Sequence, residues 1–224
     1  MQGSRRRRQF RHCPPACLFY VSDDRRGHLG LLPLCNPLFK RRAKTSQVAD
    51  ASPLPLVIYN FPGVTQGIDL SSDQLLQLAK HPNIVGVKLT CGNIGKMSRI
   101  VPEVNGEEFA VFAGLVDALV PSLVAGASGA IGGLCNLVPK TVVRAYRLAM
   151  TRSDPKELNK IQKMLADADA IVTKTGVIAG TKYALEYFYG YGGEGRRPLQ
   201  PPSAAFQKLC EIGFKSIVDY ENSL

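Results

Sequence analysis

Short apolar segments alternate with amphipathic segments from Leu54 to Met150, and this alternation restricts the possible folds more than any other feature. The apolar segments are rich in β-formers and stop at glycine, proline or asparagine, as buried strands do. They predict strands at Leu56–Tyr59, Ile84–Leu89, Phe109–Ala113 and Gly129–Gly132. Repeated strand–helix units build a parallel sheet with helices outside it. Four such units make half of a (β/α)8 TIM barrel.

Helical segments complete these units and continue after the last strand. The first one has a serine that can cap its start and a His-Pro pair that ends it. The predicted helices are Ile68–Lys80, Ile94–Val101, Asp117–Val124, Val138–Met150, Pro155–Asp169, Thr175–Tyr189 and Ser203–Phe214. We therefore predict an α/β protein, with a partial TIM barrel over residues 51–152 and a C-terminal helical segment over residues 153–224.

A lysine lies out of place near the carboxyl end of the second predicted strand. Lys88 follows Ile84, Val85 and Val87 and precedes Leu89, so its neighbours are apolar β-formers. Burying an unpaired ammonium costs more free energy than the packing of one side chain returns, so this lysine must reach solvent or lose its charge. A neutral amine is a nucleophile toward carbonyls. This strand alone is compatible with an edge-strand lysine and with a Schiff-base lysine.

A tyrosine ends the first predicted strand and begins the segment Tyr59–Pro62. Together with Gly86-Val87-Lys88, this segment resembles the paired signatures of the dihydrodipicolinate synthase/N-acetylneuraminate lyase family of class I aldolases. The resemblance is greatest to the branch of 4-hydroxy-2-oxoglutarate aldolases and fungal 2-keto-3-deoxy sugar-acid aldolases. It runs from about Pro53 to the C-terminus and includes Phe112–Gly114, Gly126–Gly133 and Tyr189–Gly193.

The resemblance implies roles for five residues. Lys88 matches the family's Schiff-base lysine, and Tyr59 matches the tyrosine that faces it and transfers protons. Thr90 and Gly114 match residues that touch substrate or leave room for it, and Ile131 matches the position whose main-chain carbonyl helps hold the pyruvyl unit. Taken alone, Tyr59 would be a core aromatic residue, and Thr90 is as well explained as an ordinary strand residue. The active site of a (β/α)8 barrel lies at the carboxyl ends of its strands.

The implied activity is that of a class I, pyruvate-forming aldolase. Its substrate is expected to be a 4-hydroxy-2-oxo acid or a 2-keto-3-deoxy sugar acid, and no metal or organic cofactor is expected. The glycines in residues 126–133 do not follow the G-x-G-x-x-G order of a dinucleotide site. The alternatives are dihydrodipicolinate synthase activity and a truncated, catalytically impaired relative, because the sequence does not select one 2-oxo acid.

Residues 1–50 do not resemble the first half of the family's barrel. The family holds the substrate carboxylate with backbone amides and two adjacent hydroxyl residues after an early strand, and Thr45-Ser46 lies in a different setting. Four strand–helix units are expected to leave two open sheet edges and an unformed carboxylate pocket. The chain should then aggregate or depend on a partner, whereas a complete member is expected to form a homo-oligomer, a tetramer in the family.

The net charge of +10 is concentrated at the start of the chain. Residues 1–50 hold 11 of the 28 basic and 3 of the 18 acidic residues, which leaves 17 basic and 15 acidic residues for the remainder. The nearly neutral body argues against a nucleic-acid partner, and only the N-terminal segment could bind a polyanion. No apolar stretch approaches the roughly 18 residues that span a membrane.

The N-terminal segment is basic and broken by prolines, so residues 1–50 are expected to be disordered or loosely attached. A mitochondrial presequence and a gene-model artefact are the alternatives. A zinc cluster is disfavoured because the spacing of its cysteines and histidines fits no standard finger. The six scattered cysteines favour reduced thiols, hence a cytoplasmic or mitochondrial location.

Overall fold

The structure is a computed structural model that describes residues 43–224, with side chains from Ser46 onward. Its strands are β1 (Leu56–Asn60), β2 (Ile84–Leu89), β3 (Ala110–Ala113) and β4 (Gly129–Ala130). Its helices are α1 (Ala43–Ala51), α2 (Ser72–Ala79), α3 (Ile94–Ile100), α4 (Leu119–Val124), α5 (Pro139–Thr151), α6 (Pro155–Lys174), α7 (Ile178–Tyr189) and α8 (Ala204–Ser223).

The four strands form one parallel sheet in the order β1-β2-β3-β4. Helices α2, α3 and α4 connect them in turn, so the predicted half barrel followed by helices is confirmed. Successive residues of a strand face opposite sides of the sheet. Ile58, Val87 and Val111 lie on the side that packs in the hydrophobic core. Tyr59 and Lys88 therefore lie on the other side, which is the inner face of a barrel.

The boundaries of the helices follow local capping. Ser71 accepts a hydrogen bond from the amide of Gln74, whose side chain accepts one from the amide of Ser71, which is a capping box at the start of α2. The prediction that this helix begins at Ile68 is wrong, because Leu70 donates its amide to the side chain of Asn60 instead.

The boundary between α6 and α7 also differs from the prediction. Helix α6 continues to Lys174 instead of ending at Asp169, and α7 begins at Ile178 rather than at Thr175. Gly176 and Val177 both have positive φ angles, of 81° and 53°, which a right-handed helix does not allow.

Residues 1–50 are expected to be disordered or loosely attached, but the part of this segment that the structure describes lies in helix α1 (Ala43–Ala51). The Asn83 side chain donates to the carbonyls of Ala49, Ser52 and Leu54, and Ala49 is buried in the core. Helix α1 is thus held by the turn that precedes β2. The expectations for residues 1–42, including the alternative of a mitochondrial presequence, lie outside the described residues.

The C-terminal helices pack against one another and against α5. Leu165 of α6 and Phe214 and Ile217 of α8 are buried in the same core as the strands. Helices α6 and α7 also contact the 3-10 turn Gly133–Asn136 that follows β4. Among the described helices, none has the length and apolarity needed to cross a membrane.

Candidate active site

Three side chains stand in one row across the inner face of the sheet. The strand register pairs Tyr59 with Lys88 and Lys88 with Phe112. The Nζ atom of Lys88 lies 4.2 Å from the centre of the Tyr59 ring. The structure therefore brings the two predicted catalytic residues into contact, at the carboxyl ends of neighbouring parallel strands.

Lys88 is only 9% exposed. Burial lowers the pKa of Lys88 because the charged ammonium loses hydration, and the nearby Cys135 thiol acts weakly in the opposite direction. The face of the Tyr59 ring attracts a cation at this distance and so also favours the ammonium. The pKa of Lys88 is lowered overall, so burial outweighs the effect of Cys135. Near pH 7, a larger fraction of Lys88 is therefore neutral than of an exposed lysine. The neutral amine is the form that attacks carbonyls.

Thr90, Gly114 and Ile131 form the next row, immediately beyond β2, β3 and β4. Their amides donate to the main-chain carbonyls of Asn60, Leu89 and Ala113 at 2.9 Å each. The hydrogen-bond ladder of the sheet therefore continues through this row. Thr90, Gly114 and Ile131 follow Lys88, Phe112 and Gly129 by two residues, and strand periodicity places the two rows on one face. All five residues predicted for the site are thereby brought to one end of the sheet.

The Thr90 hydroxyl is buried and has no hydrogen-bond partner among the described residues. A buried hydroxyl without a partner costs free energy, which a ligand could recover. Gly114 lies beside it, and a Cβ atom at Gly114 would stand 1.9 Å from the Thr90 hydroxyl oxygen and 2.6 Å from the Thr90 Cα. The glycine is thus required by the close approach of Thr90, in addition to any room that it leaves for substrate.

Side chains of α6 hold the loop that leaves Gly114. Oδ2 of Asp169 accepts hydrogen bonds from the amides of Val116 at 2.7 Å and Asp117 at 3.2 Å. Gln162 accepts the amide of Val120 and donates to the carbonyls of Val116 and Asp117. The loop after β3 is therefore fixed by polar contacts with a helix more than forty positions later in the chain.

Burial raises the pKa of Asp169 to about 6, against the effect of the two amide hydrogen bonds and with a further rise from the charge of Asp117. The second oxygen of Asp169, Oδ1, is buried without a hydrogen-bond partner among the described residues. Sequence reasoning missed this residue. A signal was available, because Asp169 continues the spacing of Ile161, Leu165 and Val172 on the apolar face of α6.

Two further side chains hold the segment after β4. The Tyr189 hydroxyl donates to the carbonyl of Leu137 at 2.8 Å. The carboxylate of Glu221 accepts the amides of Lys140 and Thr141 at 2.9 and 2.7 Å, together with the Thr141 hydroxyl, at the start of α5. The negative carboxylate thereby satisfies amides that a helix start leaves free.

The residues that the structure describes contain no group of three His, Cys, Asp or Glu side chains that could hold a metal ion. The cysteines and histidines of the disfavoured zinc cluster precede position 43 and lie outside this range. The chemistry at the described strand ends is that of an amine, a phenol and a hydroxyl.

The sequence profile of the Dihydrodipicolinate synthetase family matches residues 42–212. The chain is 42% identical over 184 residues to an L-threo-3-deoxy-hexylosonate aldolase of Hypocrea jecorina, covering 79% of this chain and 58% of that protein. It is 42% identical over 177 residues to a protein of Emericella nidulans named "probable 4-hydroxy-2-oxoglutarate aldolase, mitochondrial", covering 79% and 56%. The chain thus spans little more than half the length of these relatives.

Solved structures show the same fold. A dihydrodipicolinate synthase family protein from Coccidioides immitis superposes with a TM-score of 0.68 at 32% identity, over 82% of this chain and 60% of that one. A chloride-inhibited dihydrodipicolinate synthase from Acinetobacter baumannii, solved with pyruvate, superposes with a TM-score of 0.71 at 27% identity, over 79% and 60%.

Proposed function

Because the chain belongs to the dihydrodipicolinate synthetase family, we propose that it carries the catalytic half of a class I, pyruvate-forming aldolase. The observation that carries this proposal is the buried amine of Lys88, 4.2 Å from the centre of the Tyr59 ring, at the carboxyl ends of parallel strands. A lysine with a lowered pKa in such a place is suited to form an imine.

The reaction begins when neutral Lys88 attacks the C2 carbonyl of a 2-oxo acid. Loss of water gives a protonated imine, which withdraws electrons from C3. Tyr59 donates its phenolic proton to the hydroxyl that leaves as this water and, as the phenolate, takes the proton of the C4 hydroxyl, directly or through the substrate, as C4 becomes a carbonyl and the C3–C4 bond breaks. The electron pair of the C3–C4 bond forms the C2=C3 double bond of an enamine. Protonation of C3 and hydrolysis release pyruvate and return Lys88 to the amine.

The second row of residues supplies binding groups. We assign a hydrogen bond with the substrate to the Thr90 hydroxyl, because this buried group has no partner among the residues that the structure describes. Gly114 lets the two strand ends approach, and the main-chain carbonyl of Ile131 is the group proposed to hold the pyruvyl unit. The metal-free and cofactor-free mechanism follows from imine chemistry, since the imine itself is the electron sink.

The substrate is proposed to be a 4-hydroxy-2-oxo acid or a 2-keto-3-deoxy sugar acid. Relatives named for each kind of substrate share 42% identity with the chain. Both kinds of acid have the C2 carbonyl and C4 hydroxyl that this mechanism needs. Dihydrodipicolinate synthase activity is the second candidate, because the superposed synthase from Acinetobacter baumannii was solved with pyruvate. A cytoplasmic or mitochondrial location and a homo-oligomeric state complete the proposal.

The test is to treat residues 1–224 with pyruvate and borohydride and to map the product by mass spectrometry. We expect one reduced pyruvyl adduct on the peptide that contains Lys88, and none in Lys88→Ala. Lys163→Ala removes an exposed lysine of α6 and should leave the adduct unchanged. Absence of an adduct in the wild-type chain, or its persistence in Lys88→Ala, would refute the proposal.

A further inference from the structure

A polar network lies behind the candidate site, on the helix side of the sheet. Asn60 follows Tyr59 and faces the opposite way. Its Nδ2 donates to Oδ1 of Asp69 at 2.7 Å, and its Oδ1 accepts the amide of Leu70 at 3.0 Å. The Asn60 side chain therefore joins the beginning and the end of the loop that follows β1.

Lys96 of α3 completes this network. Its ammonium forms an ion pair with the same Oδ1 of Asp69. Lys96 is 3% exposed, whereas the Asp69 side chain is 42% exposed. Burial acts to raise the pKa of Asp69, but the hydrogen bonds from Lys96 and Asn60 and the charge of Lys96 outweigh it, and the pKa is lowered. The carboxylate is therefore ionised at neutral pH, as the ion pair requires.

The network connects the two elements that carry the catalytic pair. Asp69 belongs to the loop after the Tyr59 strand, and Lys96 belongs to the helix after the Lys88 strand. The carbonyl of Asn60 also accepts the amide of Thr90 at 2.9 Å. A shift of Asn60 would therefore move Tyr59 through the chain and Thr90 through this hydrogen bond. An unpaired buried ammonium is strongly unfavourable, so Lys96 resists such a shift.

We propose that Asn60, Asp69 and Lys96 are positioning residues that fix the separation between Tyr59 and Lys88. The inference rests on the proposed aldolase function. None of the three faces the inner side of the sheet, so they act on the reaction through the backbone and do not touch substrate. A misplacement of about 1 Å between reacting groups can lower a rate by about 10²-fold.

The test is Lys96→Met in the full chain, which removes the ammonium and keeps most of the aliphatic stem. Asp69 remains partly exposed and can be hydrated, so the fold should persist. Borohydride trapping of pyruvate on Lys88 should stay close to wild type, while the rate of substrate cleavage per trapped site falls by up to about 10²-fold. Lys96→Arg should restore much of the cleavage rate, because a guanidinium can still pair with Asp69.

Lys163→Met is the matched control, since it breaks the exposed ion pair of Lys163 with Asp167 on α6 and should change neither rate. A lower melting temperature with unchanged cleavage in Lys96→Met would overturn the proposal. An equal loss of trapping and cleavage would also overturn it, because that pattern indicates general disruption of the fold.

Hydrogen exchange tests the network without any catalytic activity. The amide of Thr90 donates to the main-chain carbonyl of Asn60, and the amide of Leu70 donates to its side-chain oxygen. Both amides should therefore exchange faster in Lys96→Met. The amide of Gly114 donates to Leu89 and should be unaffected. If the wild-type chain fails to trap pyruvate, the proposed function fails, and the exchange result alone decides the network. Unchanged exchange at Thr90 and Leu70 would refute it.

Discussion

Replacing Asp169 by asparagine should remove a pH-dependent loss of stability from the chain. Asp169 is 2% exposed, its Oδ2 atom accepts two backbone amides, and its Oδ1 atom has no hydrogen-bond partner among the described residues. Burial raises its pKa from 3.8 to about 6 in the folded state. Since an unfolded chain exposes this carboxyl to water, its pKa there is near the ordinary value.

The direction of the effect follows from these two values. The folded protein binds a proton at Asp169 more tightly than the unfolded chain does, so this group favours folding most below pH 3.8. That contribution declines as the pH rises and is lost above about pH 6. Each pKa unit corresponds to about 1.4 kcal/mol, so the full change is about 3 kcal/mol.

Urea unfolding of the wild type and of Asp169→Asn at intervals between pH 4 and pH 7.5 measures this change. The free energy of unfolding of the wild type, minus that of the variant, should fall by up to about 3 kcal/mol across this range. Asparagine keeps an oxygen that can accept the amides of Val116 and Asp117 but does not titrate. The difference between the two proteins cancels the titration of most other groups.

Asp167→Asn on the same helix is the control. Its carboxylate pairs with Lys163 at the surface, and its difference from wild type should stay within about 1 kcal/mol at every pH. Parallel curves for wild type and Asp169→Asn would refute the reasoning. A wild type that gains stability relative to the variant as pH rises would show that the amide hydrogen bonds outweigh burial at this site.

Two further substitutions test the inner face of the sheet. Tyr59→Phe should retain pyruvate trapping on Lys88 while lowering cleavage by about 10²- to 10⁴-fold, the range for losing a positioned proton-transfer group, and joint loss of both activities would indicate a structural role. Gly114→Ala should lower the free energy of unfolding by about 1–3 kcal/mol because its Cβ would stand 2.6 Å from the Thr90 Cα. Gly106→Ala, which has no atom within 4 Å of the added Cβ, should change it little in the same urea titrations.

The strands could be predicted from the sequence because each is a short apolar run between chain breakers. Parallel strands buried on both sides need this composition, so the local signal and the tertiary environment agree. A serine also marked the cap of α2, but the predicted helix wrongly included residues 68–70. Residues 68–70 continue the apolar spacing of the helix, but Asp69 and Leu70 bond to Asn60, nine and ten positions earlier. These long-range hydrogen bonds to Asn60 therefore prevent the helical conformation that the local apolar spacing predicts for residues 68–70.

Helix α1 was missed for a related reason. Its sequence has no capping signal and little amphipathic character, and a short helix without tertiary contacts is marginal in water. The Asn83 side chain holds the end of α1 and the turn after it by donating to three of their carbonyls. Asn83 lies about thirty positions later in the chain. Only the folded arrangement shows why these residues become helical.

The site shows the same division between local and long-range information. Parallel strands bring their carboxyl ends to one edge, so strand order alone placed Tyr59, Lys88, Thr90, Gly114 and Ile131 together. The sequence held no comparable rule for Lys96, whose partner Asp69 belongs to another strand–helix unit. For Asp169 the spacing of α6 indicated only a buried acidic residue, and its partners Val116 and Asp117 lie more than fifty positions earlier.

The C-terminal helices bear on the site through the loops that they hold. Asp169 and Gln162 fix the loop after β3, and Tyr189 and Glu221 fix the segment after β4. Each contact satisfies backbone groups that would otherwise be left without partners in the interior, which is costly. The loop after β1 is instead fixed to helix α3 by Asn60, Asp69 and Lys96. Because the loop after β3 is held by α6 and the loop after β1 by α3, a change in α6 should affect Gly114 more than the contact between Tyr59 and Lys88.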